Sequence, residues 1–298
     1  MSFFEKLKEI SASALKNESM KNHTSFKIGG DADFMVFPKS VEEIKNIISL
    51  CKNENVKYMV MGNGSNMLVS DKGIEGVIIK ISDSMSYVEI RDEEIYAEAG
   101  VLLSTLSHKA LDASLSGLEF ASGIPGTLGG AVVMNAGAYG GEMKDVITHV
   151  GYMDKDGNIQ EIKNEDAEFS YRKSIFSENE YIVIYVKMKL FTGERDEIKE
   201  KMADFNQRRR DKQPLNLPSA GSTFKRPEGY FAGKLIEDAG LKGYGIGGAK
   251  VSEKHSGFIV NYNNATAEDV NNLIADVQEK VKKRFGVELE PEVKFYGR

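Results

Sequence analysis

Ser122-Gly123-Ile124-Pro125-Gly126-Thr127-Leu128-Gly129-Gly130 is the stretch on which the reading of the fold turns. It opens a mainly apolar run with few charges that goes on through Asn135 to Gly137, Gly140 and Gly141. Glycine at this density argues against an ordinary helix, because each residue gives up more backbone entropy than any other. What glycine allows is close approach: without Cβ the backbone can touch a ligand, and successive N–H groups in tight turns make concave anion sites suited to a pyrophosphate. A second loop of this kind, Gly62-Asn63-Gly64-Ser65-Asn66, follows a strand predicted over Val56 to Met61. One such loop is most simply a turn without a ligand. Two of them, interleaved with Asn63, Ser65, Asn66, Ser122 and Asn135, make a nucleotide-like ligand a serious alternative.

Outward from the loops, Met1 to Lys21 mixes apolar and charged residues as an amphipathic helix would. Ser40 with Glu43 forms a capping pattern ahead of Val41, Ile44, Ile47, Ile48 and Cys51 at helical spacing. Gly76 to Ile81 reads as a strand, Tyr87 to Ala97 as a hairpin turning at Arg91-Asp92-Glu93, and Leu102 to Leu111 as a helix. Val146 to Ile162 is expected to form a hairpin turning at Asp156-Gly157, and residues 184–190 alternate like a half-buried strand. A charged helix with Ile198, Met202 and Phe205 on one side leads to Pro214 and Pro218, where a domain boundary is expected. Beyond it come helices over Phe231 to Ala239 and Thr266 to Phe285, the latter closed by Gly286, with a strand over Gly257 to Tyr262 between them.

Composition removes several classes of function. The chain has 298 residues, 41% apolar, enough for one large domain or two to three smaller ones. A net charge of −6 without any long Lys/Arg run gives no reason to expect nucleic acid. Cys51 is the single cysteine, so no internal disulfide forms, and His23, His108, His149 and His255 are scattered without ligand spacing, so no catalytic metal is expected. No apolar stretch reaches the ~20 residues of a membrane span, and no secretory signal opens the chain, which points to the cytoplasm. Gly243-Tyr244-Gly245-Ile246-Gly247-Gly248 spells G-x-G-x-x-G, but it follows a predicted helix where a Rossmann loop needs a strand, and is rejected. Neither a P-loop nor a G-x-S-x-G elbow is present.

Longer strings carry a family likeness. NHTSFKIGG (22–30), GNGSNML (62–68) and GIPGTLGGAVVMNAGAYGGE (123–142) together resemble the FAD-binding domain of the UDP-N-acetylenolpyruvoylglucosamine reductases. The resemblance continues through SYRKSIF (170–176), QPLNLPSAGSTFKRP (213–227), GKLIEDAG (233–240) and LEPEVKF (289–295). It implies an α+β protein: a PCMH-type FAD-binding region of two subdomains over residues 1–200, then a smaller α+β substrate-binding domain over 201–298 whose C-terminal segment returns to the active site. There is no room for the additional Tyr-bearing loop of the long class, so the short, type II form is implied. FAD would be held by Gly62, Asn63, Gly64, Ser65, Asn66, Ser122, Gly123, Ile124, Pro125, Gly126, Gly129, Gly130 and Asn135. Tyr171, Lys212 and Arg226 would contact the substrate, UDP-N-acetylglucosamine enolpyruvate, with NADPH as hydride donor and a monomer as the expected state.

The same resemblance implies the chemistry. Hydride delivered to C3 of the enolpyruvyl group leaves negative charge at C2 that spreads into the carboxylate, so the reaction needs a cation at that carboxylate and an acid for C2. By motif match, Arg172 and Glu292 bracket the carboxylate and Ser222 gives the proton. Without the match, Arg172 reads as a solvated strand residue, Glu292 as one of three rim carboxylates with Glu288 and Glu290, and Ser222 as a turn residue. Two rival readings stay open: another PCMH-type flavoprotein such as an alcohol oxidase, and a nucleotide-binding module without catalysis.

Overall fold

The computed structural model describes residues 1–298 throughout. Its helices are α1 (Phe3–Ile10), α2 (Val41–Asn53), α3 (Leu103–Asp112), α4 (Leu128–Val133), α5 (Ile175–Glu178), α6 (Arg195–Lys212), α7 (Ala232–Asp238) and α8 (Ala267–Phe285). The chain divides into two compact units that interleave along the sequence. The first holds Met1–Leu15, Met35–Asn63 and Val77–Arg209; the second holds Lys16–Phe34, Gly64–Gly76 and Arg210–Arg298. Segments 16–34 and 64–76, which lie within 1–200, therefore pack with the C-terminal third.

In the first unit, α1 begins on a reciprocal cap between Ser2 and Glu5 and ends at Ile10, well short of the helix expected to Lys21. Serine is the reason. Ser13 Oγ both donates to the Phe37 carbonyl and accepts from the Phe37 N–H, each at 3.0 Å, which offers the backbone an alternative to continuing the helix. At α2, Ser40 accepts from the Glu43 N–H at 3.2 Å as the pattern demands, but the Glu43 carboxylate turns to the Lys39 N–H at 3.0 Å. Behind α2 run two parallel strands, paired from Tyr58↔Val77 to Met61↔Lys80.

The larger sheet of this unit is antiparallel, in the order 159–163, 147–153, 182–189, 94–98, 88–91. Both expected hairpins are in it, and Ile184, Val186 and Met188 are buried at its centre. The glycine-rich run departs from expectation in one place: Leu128–Val133 is a helix despite Gly129 and Gly130. Its opening N–H groups are anchored, Leu128 N to Val101 O and Gly129 N to Ala99 O, both at 2.8 Å, so tertiary bonds offset the weak propensity.

The second unit has its own core. Phe26, Ile28 and Leu68 pack with Leu235, Ile236, Val251, Ile259 and the α8 face of Val270, Leu273, Val277 and Val281. Each fully buried aliphatic side chain there contributes roughly 1.5–3 kcal/mol of transfer free energy. Helix α8 starts on a Thr266–Asp269 capping box and stops at Gly286, as expected. A three-stranded antiparallel sheet orders 245–246, 249–251 and 259–261. The G-x-G-x-x-G string is thus a hairpin in which Gly247 (φ 54°) turns the chain, and a Cβ there would lie 2.1 Å from Asp269 Oδ1. Strands of three residues at Met67–Val69 and Lys294–Tyr296 pair in parallel and were not legible as strands.

Candidate active site

The two glycine loops meet within the first unit at Gly62-Asn63 and Pro125-Gly126-Thr127. Asn63 Nδ2 donates to the Pro125 carbonyl at 2.7 Å, and the Leu103 N–H to the Gly126 carbonyl at 3.0 Å. Gly62 and Thr127 are so close that a Cβ on Gly62 would stand 2.1 Å from Thr127 Oγ1. Only glycine permits this approach. The remainder of the first loop, Gly64 to Asn66, belongs to the second unit.

Two residues at the second loop were missed in the sequence. Asn206 Nδ2 donates to Ser122 Oγ at 3.1 Å, and the Arg209 side chain lies 3.2 Å from the space a Gly123 Cβ would take. Arg209 is half-buried; burial pulls its guanidinium below its ordinary value, while nearby Tyr139 acts the other way. It stays a cation, since arginine does not lose its proton in proteins. Ile198, Met202, Phe205 and Arg209 fall at steps of four, three and four on one stripe of α6, a register that separates Arg209 from its solvated neighbours Arg208 and Arg210. Phe205 stacks on Tyr139 at 4.6 Å and 10°. A glycine loop with a half-buried cation at its edge suits the pyrophosphate of FAD.

Arg172 sits in a tight turn, not a strand. Ser170 and Lys173 close it with N–H to carbonyl bonds of 3.0 and 3.3 Å, and Arg172 occupies the left-handed region at φ 57°. Its Nη2 donates to Gly137 O at 3.2 Å and its Nη1 to Asn135 O at 3.5 Å. The guanidinium carbon is 5.0 Å from the centre of the exposed Tyr171 ring. Buried Asn135 donates to Glu142 Oε2 and to Ser170 O, at 2.9 and 3.1 Å, so the end of the glycine run and the arginine turn are joined.

Ser222 and Glu292 lie on neighbouring segments of the second unit. Residues 223–225 pair antiparallel with 290–292 through Phe224↔Pro291, with Glu292 N donating to Thr223 O and Lys225 N to Glu290 O, both at 2.8 Å. Thr223 is fully buried and its Oγ1 accepts from Ile259 N at 2.9 Å, which fixes the strand that Ser222, itself exposed, precedes. Asn66 reaches the same segment, donating to Glu292 O at 3.1 Å. Of the residues expected to touch substrate, Lys212 is exposed at the end of α6, and Arg226 lies 4.0 Å over the Phe231 ring with its Nε donating to Tyr230 O. A serine hydroxyl can deliver a proton, and a restrained guanidinium can stabilise a carboxylate that gains charge.

Known proteins match both parts. Residues 32–163 match the family model for an FAD binding domain, and residues 213–296 that for the C-terminal domain of UDP-N-acetylenolpyruvoylglucosamine reductase. The chain is 57% identical to the UDP-N-acetylenolpyruvoylglucosamine reductase of Caldanaerobacter subterraneus subsp. tengcongensis, over 98% of this chain and 97% of that protein. It is 55% identical to that of Syntrophomonas wolfei subsp. wolfei, over 94% of each. The crystal structure of the Thermus caldophilus reductase superposes with a TM-score of 0.80 at 34% identity, covering 95% of this chain and 98% of that one. The PCMH-type FAD-binding fold with its added C-terminal domain, and a likeness that runs the length of the sequence, make this chain a member of the UDP-N-acetylenolpyruvoylglucosamine reductase family.

Proposed function

We propose that this protein reduces UDP-N-acetylglucosamine enolpyruvate to UDP-N-acetylmuramate, a precursor of peptidoglycan, with FAD as cofactor and NADPH as hydride donor. The observation that carries the reading is the likeness of residues 213–296 to the reductase C-terminal domain. A flavin- or nucleotide-binding module alone would account for 32–163 and leave the rest without a task. In this reading the FAD-binding region is 1–200 and the substrate-binding domain 201–298. No helix is long and apolar enough to cross a membrane, and the reaction is assigned to the cytoplasm.

Bound FAD supplies hydride carriage from NADPH to C3 of the enolpyruvyl group. The chain's own residues manage the charge and the proton at C2. Arg172 stabilises the substrate carboxylate as it takes on enediolate charge, which lowers the barrier because the cation is already oriented and needs no reorganisation. Ser222 gives its proton to C2; a hydroxyl is a weak acid, and the transfer works because an incipient carbanion is a strong base. Glu292, on the segment paired with Thr223, brackets the substrate carboxylate together with Arg172. Tyr171, Lys212 and Arg226 hold the nucleotide-sugar portion.

The decisive experiment uses the purified protein. Its visible spectrum should show bound flavin, and NADPH absorbance should fall only when the enolpyruvyl substrate is added. NADPH oxidation indifferent to that substrate, or oxygen consumption with alcohols in its place, would overturn the proposal.

A further inference from the structure

One buried side chain holds the turn that carries Arg172. Asn135 is 0% exposed and sits at φ 40°, a left-handed conformation that Asn tolerates better than most residues. Its Nδ2 donates to Glu142 Oε2 at 2.9 Å and to Ser170 O at 3.1 Å, and its Oδ1 accepts from Lys144 N at 3.0 Å. Glu142 is in turn paired with Lys144 Nζ at 3.0 Å. Both hydrogens and the oxygen of the amide are thus engaged within the protein, and the Asn135 carbonyl accepts from Arg172 Nη1 at 3.5 Å.

Arg172 occupies a left-handed backbone conformation of the kind that costs a non-glycine residue of order 1 kcal/mol or more, so a four-residue turn left to itself would relax. Asn135 opposes that relaxation at Ser170 O, the same carbonyl that closes the turn onto the Lys173 N–H. We infer that Asn135 is a positioning residue for Arg172, setting the guanidinium where it meets the substrate carboxylate, and that its side chain does not serve as a ligand of the cofactor. The inference rests on the role given to Arg172 above.

Asn135→Gly keeps the backbone conformation and deletes the amide; Asn135→Asp keeps size and conformation but turns an acceptor toward Ser170 O and Glu142. Four quantities are measured on each: flavin content, melting temperature, affinity of the oxidised holoenzyme for the enolpyruvyl substrate by calorimetry, and the ratio of flavin reoxidation by that substrate to flavin reduction by NADPH in stopped flow. Both variants should retain flavin, bind substrate about tenfold more weakly and lower the ratio by roughly 10- to 100-fold, the scale on which a misplaced catalytic group loses rate. In an Arg172→Ala background the same substitutions should lower it little further, because the two residues act as one unit. Glu142→Gln loosens the amide without touching the turn and serves if the Asn135 variants do not fold; it should lower the ratio a few-fold.

Loss of flavin with an unchanged ratio in the loaded fraction would make Asn135 a cofactor ligand, and full additivity with Arg172→Ala would separate it from Arg172. Either overturns the inference. Failure of the proposed function would show itself earlier, as unaltered protein whose reduced flavin the substrate does not reoxidise. An Arg172→Ala variant indistinguishable from the unaltered protein would remove the role of Arg172 and this inference with it.

Discussion

The side-chain amide of Asn66 donates to the backbone carbonyl of Glu292 at 3.1 Å, and the Lys294 N–H returns to the Asn66 carbonyl at 3.1 Å. Glu292 is therefore clasped on one side by the end of a glycine loop and on the other by Thr223. Asn66→Ala should free the Glu292 backbone and lower turnover by about tenfold, more than it lowers flavin content. Steady-state rates normalised to bound flavin decide the matter; a loss wholly explained by missing flavin would confine Asn66 to the cofactor.

At Gly62 the expectation is steric. Gly62→Ala puts a methyl group 2.1 Å from Thr127 Oγ1, so the two loops must part and flavin should be lost on purification. Combining it with Thr127→Ala removes the colliding atom, and the double variant should recover part of the flavin. Equal flavin content in the single variant and the unaltered protein would show that the loops yield without consequence.

Ser222 separates the two half-reactions, because a proton donor to C2 has no part in hydride transfer from NADPH. Ser222→Ala should leave flavin reduction near its normal rate and slow reoxidation by the enolpyruvyl substrate roughly 10²- to 10⁴-fold. Ser222→Cys should retain more activity than Ala. Equal damage to both steps would mark the segment as structural, and no damage to either would mean that the proton comes from another donor.

Asp269 gives the second unit a pH dependence of known sign. The Gly248 N–H and Thr266 N–H, each donating at 3.0 Å, hold its carboxyl below the ordinary carboxylate value. A depressed value means stability that is present above the unfolded pKa of about 3.9 and lost as pH falls through the folded value. Asp269→Asn should cost about 1 kcal/mol at pH 7, given its exposure. The gap in melting temperature between the two proteins should narrow as pH falls below about 4; a constant gap would assign the loss to packing.

The helices with strong periodicity, α2, α3 and α8, the first and last of them capped, were legible because local signals and tertiary packing agree. Legibility failed where a distant partner decides the conformation. Ser13 ends α1 by bonding to Phe37, and Val101 and Ala99 anchor α4 through residues that propensity disfavours. In the site, glycine loops and motif strings exposed Gly62, Ser122 and Arg172 as candidates. Thr127 and Asn206 matter through contacts made across long sequence separations, which no local pattern encodes. Arg209 could have been found from the α6 stripe; its place inside a run of three arginines hid it.

The interleaving of the two units also dictates an order of events during synthesis. Phe26, Ile28 and Leu68 leave the ribosome early, yet most of their partners lie between Ala220 and Val293. For the time needed to make some 150 further residues, roughly 10–30 s at ordinary rates of synthesis, these apolar side chains lack most of their native cover. The first unit can draw together around its antiparallel sheet in that interval, while 16–34 and 64–76 lack the C-terminal third with which they pack. A nascent chain halted before α8 should therefore be a chaperone substrate and cleave readily within those two segments, and release of the finished C-terminus should protect both at once.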